Sequence, residues 1–150
     1  MNGMVSLYGR ELYISFDEEK PKYCEEALEV YKTKPSFVVF DLLQIISSSP
    51  ENIDRKSHWK FSFTKDAKNP VLLEFDSFDG IKKAASPQFL LAMLIKQQVK
   101  VITAKIGTKP KQMSYCFFER EKKVADKIID AIREAFIMLK IENVLLDGFK

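Results

Sequence analysis

The carboxyl-terminal part of the sequence constrains the fold most, because a short alternating segment runs directly into a long amphipathic one. Residues 112 to 118 alternate between polar and apolar side chains, which predicts a strand. Residues 120 to 141 repeat apolar side chains at intervals of three and four, which predicts a helix with one apolar stripe. The stripe consists of Val124, Ile128, Ile132, Ala135 and Leu139.

The predicted terminal helix carries more apolar surface than one stripe. A second set flanks the first: Ala125, Ile129, Phe136 and Met138. A helix of about 21 residues is about 32 Å long, and one face of a small sheet does not cover so wide a band. We therefore expect one face, with Ile128, Ile132 and Leu139, to pack on the chain's own sheet. We expect the other face, with Ala125, Ile129 and Phe136, to bind a partner protein, so that all six residues belong to the predicted partner-interface region.

The composition is that of an ordinary globular chain, with 46% apolar and 30% charged residues in 150 positions, and it predicts a single domain over residues 1–150. The net charge of +3 identifies no polyanionic ligand, and Lys greatly outnumbers Arg. The amino terminus lacks a secretory pattern, and no apolar run reaches membrane-spanning length. We expect a cytoplasmic protein, with the nucleus as the alternative and no membrane partner. We also expect Cys24 and Cys116 to be reduced thiols.

Turn residues and apolar periodicity divide the chain into short elements. Helices are predicted at about residues 23–33, 87–97 and 120–141, the second starting at Ser86 and Pro87. Strands are predicted at residues 5–8, 11–16, 36–40, 58–64, 71–75, 99–106 and 112–118, with a polar loop at 47–52. The expected fold class is α+β: an antiparallel sheet of five to seven strands, a long carboxyl-terminal helix packed on it, and two shorter helices.

Motifs for catalysis are missing, so we expect no enzyme, no cofactor and no metal. The single histidine excludes a zinc site with two histidines, and the glycine spacing excludes a phosphate-binding loop. His58 can serve as a general base, but its place on an alternating strand favours a solvated or paired imidazole. Three carboxylates, those of Glu74, Asp76 and Asp79, can form a Mg²⁺ site, although Asp79 and Gly80 are more typical of a turn.

Two further groups of residues, one of lysines and one of aromatic residues, can be interpreted either as binding surfaces or as ordinary structural features. Lys100, Lys105, Lys109 and Lys111 are predicted to surround the tip of a hairpin formed by residues 99–106 and 112–118. Such a tip binds nucleic acid or an acidic protein surface, or only discourages aggregation at a sheet edge. The aromatic residues Trp59, Phe61 and Phe63 can stack on single-stranded bases. Their alternation favours burial instead.

The order of segments resembles a known family. Lys34 and Pro35 precede the strand at 37–40, which leads to Leu42, Leu43 and Gln44. Hairpin strands at 59–63 and 71–75, the segment 79–83, a buried helix at 89–96, the strand at 113–118 and the helix from Lys123 follow. Over residues 23–140 this order is similar to that of the subunit 4 family of the actin-related protein 2/3 complex, which nucleates branched actin filaments.

The resemblance implies a scaffold role without catalysis. In that family the terminal helix packs on the equivalent helix of a larger partner subunit. Together they form the core to which two actin-related proteins dock, while exposed surfaces contact the mother filament. The present chain departs from the family in the loop at 47–56, which contains Pro50, and in its shorter carboxyl tail. The resemblance therefore implies protein partners, including actin-related proteins and actin.

Overall fold

A computed structural model describes residues 12–115 and 121–146. The predicted strand at residues 5–8 and the thiol of Cys116 lie outside the described residues. The described helices are α1 (Glu25–Thr33), α2 (Leu42–Ser47), α3 (Pro87–Ile106) and α4 (Lys122–Leu139). The described strands are β1 (Ile14–Ser15), β2 (Lys22–Tyr23), β3 (Val38–Val39), β4 (Ser62–Thr64), β5 (Leu72–Phe75), β6 (Lys83–Ala85), β7 (Gln112–Tyr115) and β8 (Glu142–Leu145). The α+β class is confirmed.

The strands form three small sheets. The first has the order β2-β1-β3 and the second the order β4-β5-β6, and both are antiparallel. The predicted hairpin between residues 58 and 75 is confirmed in its pairing, with Phe63 opposite Leu73, although its first strand begins only at Ser62. The third sheet is the parallel pair of β7 and β8.

The predicted strand at residues 99–106 is wrong, because this segment continues α3 to a length of 20 residues. Ser86 caps the helix by accepting a hydrogen bond from the Phe89 amide at 3.1 Å. The β-branched side chains of the second half imitate a strand, yet nothing before Gly107 stops the helix. Gly107 ends it with a φ of 82°, a left-handed conformation that favours glycine.

Helix α4 is confirmed, but it lies between two strands that pair in parallel. Lys140 has a φ of 57° and reverses the chain after the helix, so that β8 returns alongside β7. Parallel neighbours need a long crossover connection, and α4 provides it. The sequence interpretation did not include β8.

Two apolar clusters hold the described parts together. The first lies between the two antiparallel sheets and the start of α3, with Phe40, Leu73 and Leu90 at its centre. The second lies among α2, α3 and α4 and includes Leu91, Ala135 and Phe136. Helix α4 therefore packs on helices α2 and α3. The prediction that it packs on a broad antiparallel sheet is wrong. None of the described helices is long and apolar enough to cross a membrane.

Candidate functional site

The predicted partner stripe on α4 is largely covered by the chain itself. Phe136, assigned above to a partner, is 3% exposed, and its ring stacks on Tyr115 at a centroid distance of 5.9 Å. Its assignment to the partner-facing side is corrected accordingly. Ile128 is buried as well. The remaining members of the set are half-buried: Ala125, Ile129, Ile132 and Leu139.

The predicted basic hairpin does not exist, because its first strand is helical. Lys100 and Lys105 lie on α3, whereas Lys109 lies in the loop after the helix and Lys111 directly precedes β7. All four side chains are exposed. Of the four, Lys100 and Lys109 both lie at the rim of one groove, which is formed between α3 and the end of α4.

This α3–α4 groove is a concave surface with a volume of about 590 Å³. Val99, Leu139 and Ile141 supply apolar lining, and all three lie against or within the second core cluster. Met138 adds an apolar wall that is 44% exposed. The full lining is Lys96, Val99, Lys100, Thr103, Ala104, Lys109, Met138, Leu139 and Ile141.

Positive charge borders the groove on the α3 side. Lys96 and Lys100 are exposed one helical turn apart, and Lys109 reaches the groove from the loop. No carboxylate of the described residues lies within 4.0 Å of these three ammonium groups, whereas other lysines, such as Lys32 and Lys83, do form ion pairs. The groove thus combines an apolar floor with three lysines that form no ion pair with a described carboxylate.

The sequence interpretation missed this groove because its walls come from segments about 40 residues apart. Lys96, Val99, Met138 and Ile141 were not named as a site. One signal was present: Lys96 and Lys100 are four residues apart, a spacing that places both on one side of a helix. That signal has meaning only once residues 99–106 are known to be helical.

His58 has contacts that give it a structural role. Its Nε2 lies 3.4 Å from Oδ2 of Asp41, which also accepts a hydrogen bond from Trp59 Nε1 at 2.8 Å. The imidazole lies against the Phe40 ring at a centroid distance of 5.5 Å. Burial of the aromatic side chains is confirmed for Trp59 and Phe61, while Phe63 is half-buried. These rings form part of the core and do not present a stacking platform.

The acidic segment that was considered for Mg²⁺ forms a turn. Asp79 accepts hydrogen bonds from the Ile81 amide at 3.0 Å and the Ser77 hydroxyl at 2.9 Å, and Lys83 lies 3.2 Å away. The Ile81 amide, then the Ser77 hydroxyl and Lys83, hold the pKa of Asp79 below its ordinary value. Within the described ranges, no three His, Cys, Asp or Glu side chains are grouped closely enough to hold a metal ion.

Comparison with protein-family models and with curated proteins finds no match for this chain. The element order of the structure also differs at one point from the order predicted from the sequence. Two strands were expected between the buried helix and the terminal helix, but residues 99–106 are helical, and only β7 is described there. The Cys24 side chain is buried.

Proposed function

We propose that this chain is a non-catalytic subunit of a larger protein assembly and that its α3–α4 groove receives a partner protein. The observation that carries the proposal is the apolar lining of that groove, of which Met138 is 44% exposed. An open concave surface with apolar walls and a polar rim has the composition of a protein-binding site.

The energy available at the groove fits the centre of an interface. Complete burial of a Met side chain contributes about 1.5–3 kcal/mol, so covering the exposed part of Met138 contributes about 1 kcal/mol. A stable interface covers about 1,200–2,000 Å² in total. The groove therefore supplies one part of the contacts, and the surrounding surface supplies the rest.

Neighbouring residues on α4 offer a matched pair of variants. Met138 lines the groove, whereas Ile137 is 73% exposed on the same helix and does not line it. We expect Met138→Ser to lower the amount of co-purified partner about fivefold when the tagged full chain is isolated from its own cells. Ile137→Ser leaves the recovery unchanged. Equal recovery with both variants and the wild type would refute the proposal.

A narrower form of the proposal follows from the family resemblance, namely that the assembly contains actin-related proteins and actin. The resemblance in segment order supports it. Mass spectrometry of the same purified material tests it. Actin-related proteins that are retained by the wild type and lost with Met138→Ser support the narrower form. An assembly without them refutes this form and leaves the broader proposal standing.

A further inference from the structure

We infer that the α3–α4 groove takes an amphipathic helix of a partner protein, with acidic side chains beside its apolar stripe. This inference rests on the proposed function and adds the chemistry of the partner. The proposed function needs only the apolar lining of the groove. The present inference needs the three lysines at its rim, which are Lys96, Lys100 and Lys109.

The charge of the rim selects an acidic partner. The three ammonium groups are exposed, and no described carboxylate lies within ion-pair distance of them. A partner carboxylate near Lys96 or Lys100 gains attraction without displacing an internal ion pair of the described residues. Complementary charge at a rim speeds association and excludes basic partners.

The walls of the groove favour a helix over an extended peptide. An extended peptide needs a free sheet edge to satisfy its backbone, but one wall of this groove is helix α3, and the last two residues of α4 begin the other. A helix satisfies its own backbone and inserts apolar side chains between two others. Lys96 and Lys100 are about 6 Å apart along the α3 axis, and carboxylates four residues apart on a second helix repeat at the same distance.

The apolar floor argues against nucleic acid as the occupant. Phosphate binding needs positive charge but no apolar surface. The floor, with Val99, Leu139 and Ile141, has no aromatic ring on which a base can stack. An amphipathic acidic helix matches both the floor and the rim.

The test uses the tagged full chain in the assembly purified from its own cells. One variant reverses the three rim charges: Lys96→Glu, Lys100→Glu and Lys109→Glu. A matched control makes the same change at exposed lysines away from the groove: Lys20, Lys65 and Lys68. A third variant replaces the rim lysines by Gln, and thermal unfolding of all variants is followed by circular dichroism.

We expect charge reversal at the rim to lower partner recovery about tenfold or more, the Gln variant to lower it less, and the control lysines to change it less than about twofold. A zero-length coupling reagent, which joins amines to carboxylates in direct contact, adds an independent measurement. We expect it to link the rim lysines to partner Asp or Glu residues three or four positions apart in a helical segment. Both results together support the inference.

The other outcomes separate this inference from the proposed function. If Met138→Ser releases the partner and charge reversal at the rim does not, the proposed function stands and the acidic helix is refuted. If neither variant releases it, the proposed function itself fails. Release of the bound material by nuclease refutes the protein partner in favour of nucleic acid. Cross-links that join the rim lysines only to carboxylates of this chain also refute the inference.

Discussion

Ser36 and Asp76 are joined by two hydrogen bonds although 40 positions separate them in the sequence. The Ser36 hydroxyl donates to Oδ2 of Asp76 at 2.7 Å, and the Asp76 amide donates to the Ser36 carbonyl at 3.1 Å. Ser36 lies two positions before β3, and Asp76 directly follows β5. This pair therefore connects the two antiparallel sheets. The Ser36 hydroxyl, and to a smaller extent Lys82, holds the pKa of Asp76 below its ordinary value.

The first prediction concerns this connection and its pH dependence. We expect Ser36→Ala to lower the free energy of unfolding by about 1 kcal/mol near neutral pH, because a hydrogen bond to a partly exposed carboxylate is lost. A lowered folded-state pKa stabilises the protein above the unfolded pKa of about 3.9, and this contribution is lost as pH falls through the folded value. Urea unfolding should show a large difference in the free energy of unfolding between Ser36→Ala and the wild type near pH 7. The difference should be small near pH 3.

Asp66 provides the control for that prediction. Hydrogen bonds from the Asn69 and Lys68 amides lower its pKa within an exposed local turn. We expect the effects of Ser36→Ala and Asp66→Asn to add, because the two sites share no partner. The effects of Ser36→Ala and Asp76→Asn should not add. A Ser36→Ala difference of the same size at both pH values contradicts the prediction.

The second prediction concerns Gln98, whose side chain is buried in α3. The residue is 3% exposed, and its Oε1 has no hydrogen-bond partner among the described residues. We expect Gln98→Met to raise the free energy of unfolding by about 1 kcal/mol, because an unsatisfied buried carbonyl is replaced by an apolar group of similar shape. The half-buried neighbour Gln97 is the control, and Gln97→Met should change stability by less than about 0.5 kcal/mol. A less stable Gln98→Met variant would show that the carbonyl is satisfied in solution.

The third prediction concerns Asp41, which has a φ of 57° and accepts the hydrogen bond from Trp59 Nε1. We expect Asp41→Ala to lower the free energy of unfolding by about 2 kcal/mol, because it loses this bond and strains the left-handed backbone. Asp41→Gly loses the bond without the strain and should cost about 1 kcal/mol less than Ala. Fluorescence of Trp59, the single tryptophan, reports urea unfolding directly. Equal losses for Ala and Gly would exclude backbone strain at this position.

Local signals made several elements predictable. Helix α4 was predictable because its apolar spacing extends over five turns without a breaking residue, and α1 because Pro35 follows it closely. The hairpin of β4 and β5 was predictable from alternation on both sides of a polar turn. In these cases the pattern in the sequence and the packing in the fold agree.

The remaining features depended on contacts between distant segments. Residues 99–106 have strand propensity, yet Val99 and Ile102 are buried as part of a continuous helix. The covering of Phe136 by Tyr115 also depends on tertiary packing. The groove was not predictable while residues 99–106 were taken as a strand and Phe136 was assigned to a partner, because its two walls are the second half of α3 and the end of α4. No spacing in the sequence relates Lys96 to Met138.

The pairing of β7 with β8 determines how the groove can respond to a partner. Strand β7 precedes α4 in the chain and β8 follows it, so that the helix lies in sequence between the two strands of one sheet. Four residue pairs, from Gln112 and Glu142 to Tyr115 and Leu145, join the strand before the helix to the strand after it. A receptor surface whose parts are already joined in this way would spend little binding energy on its own ordering, so that selection among partners would fall on shape as well as charge.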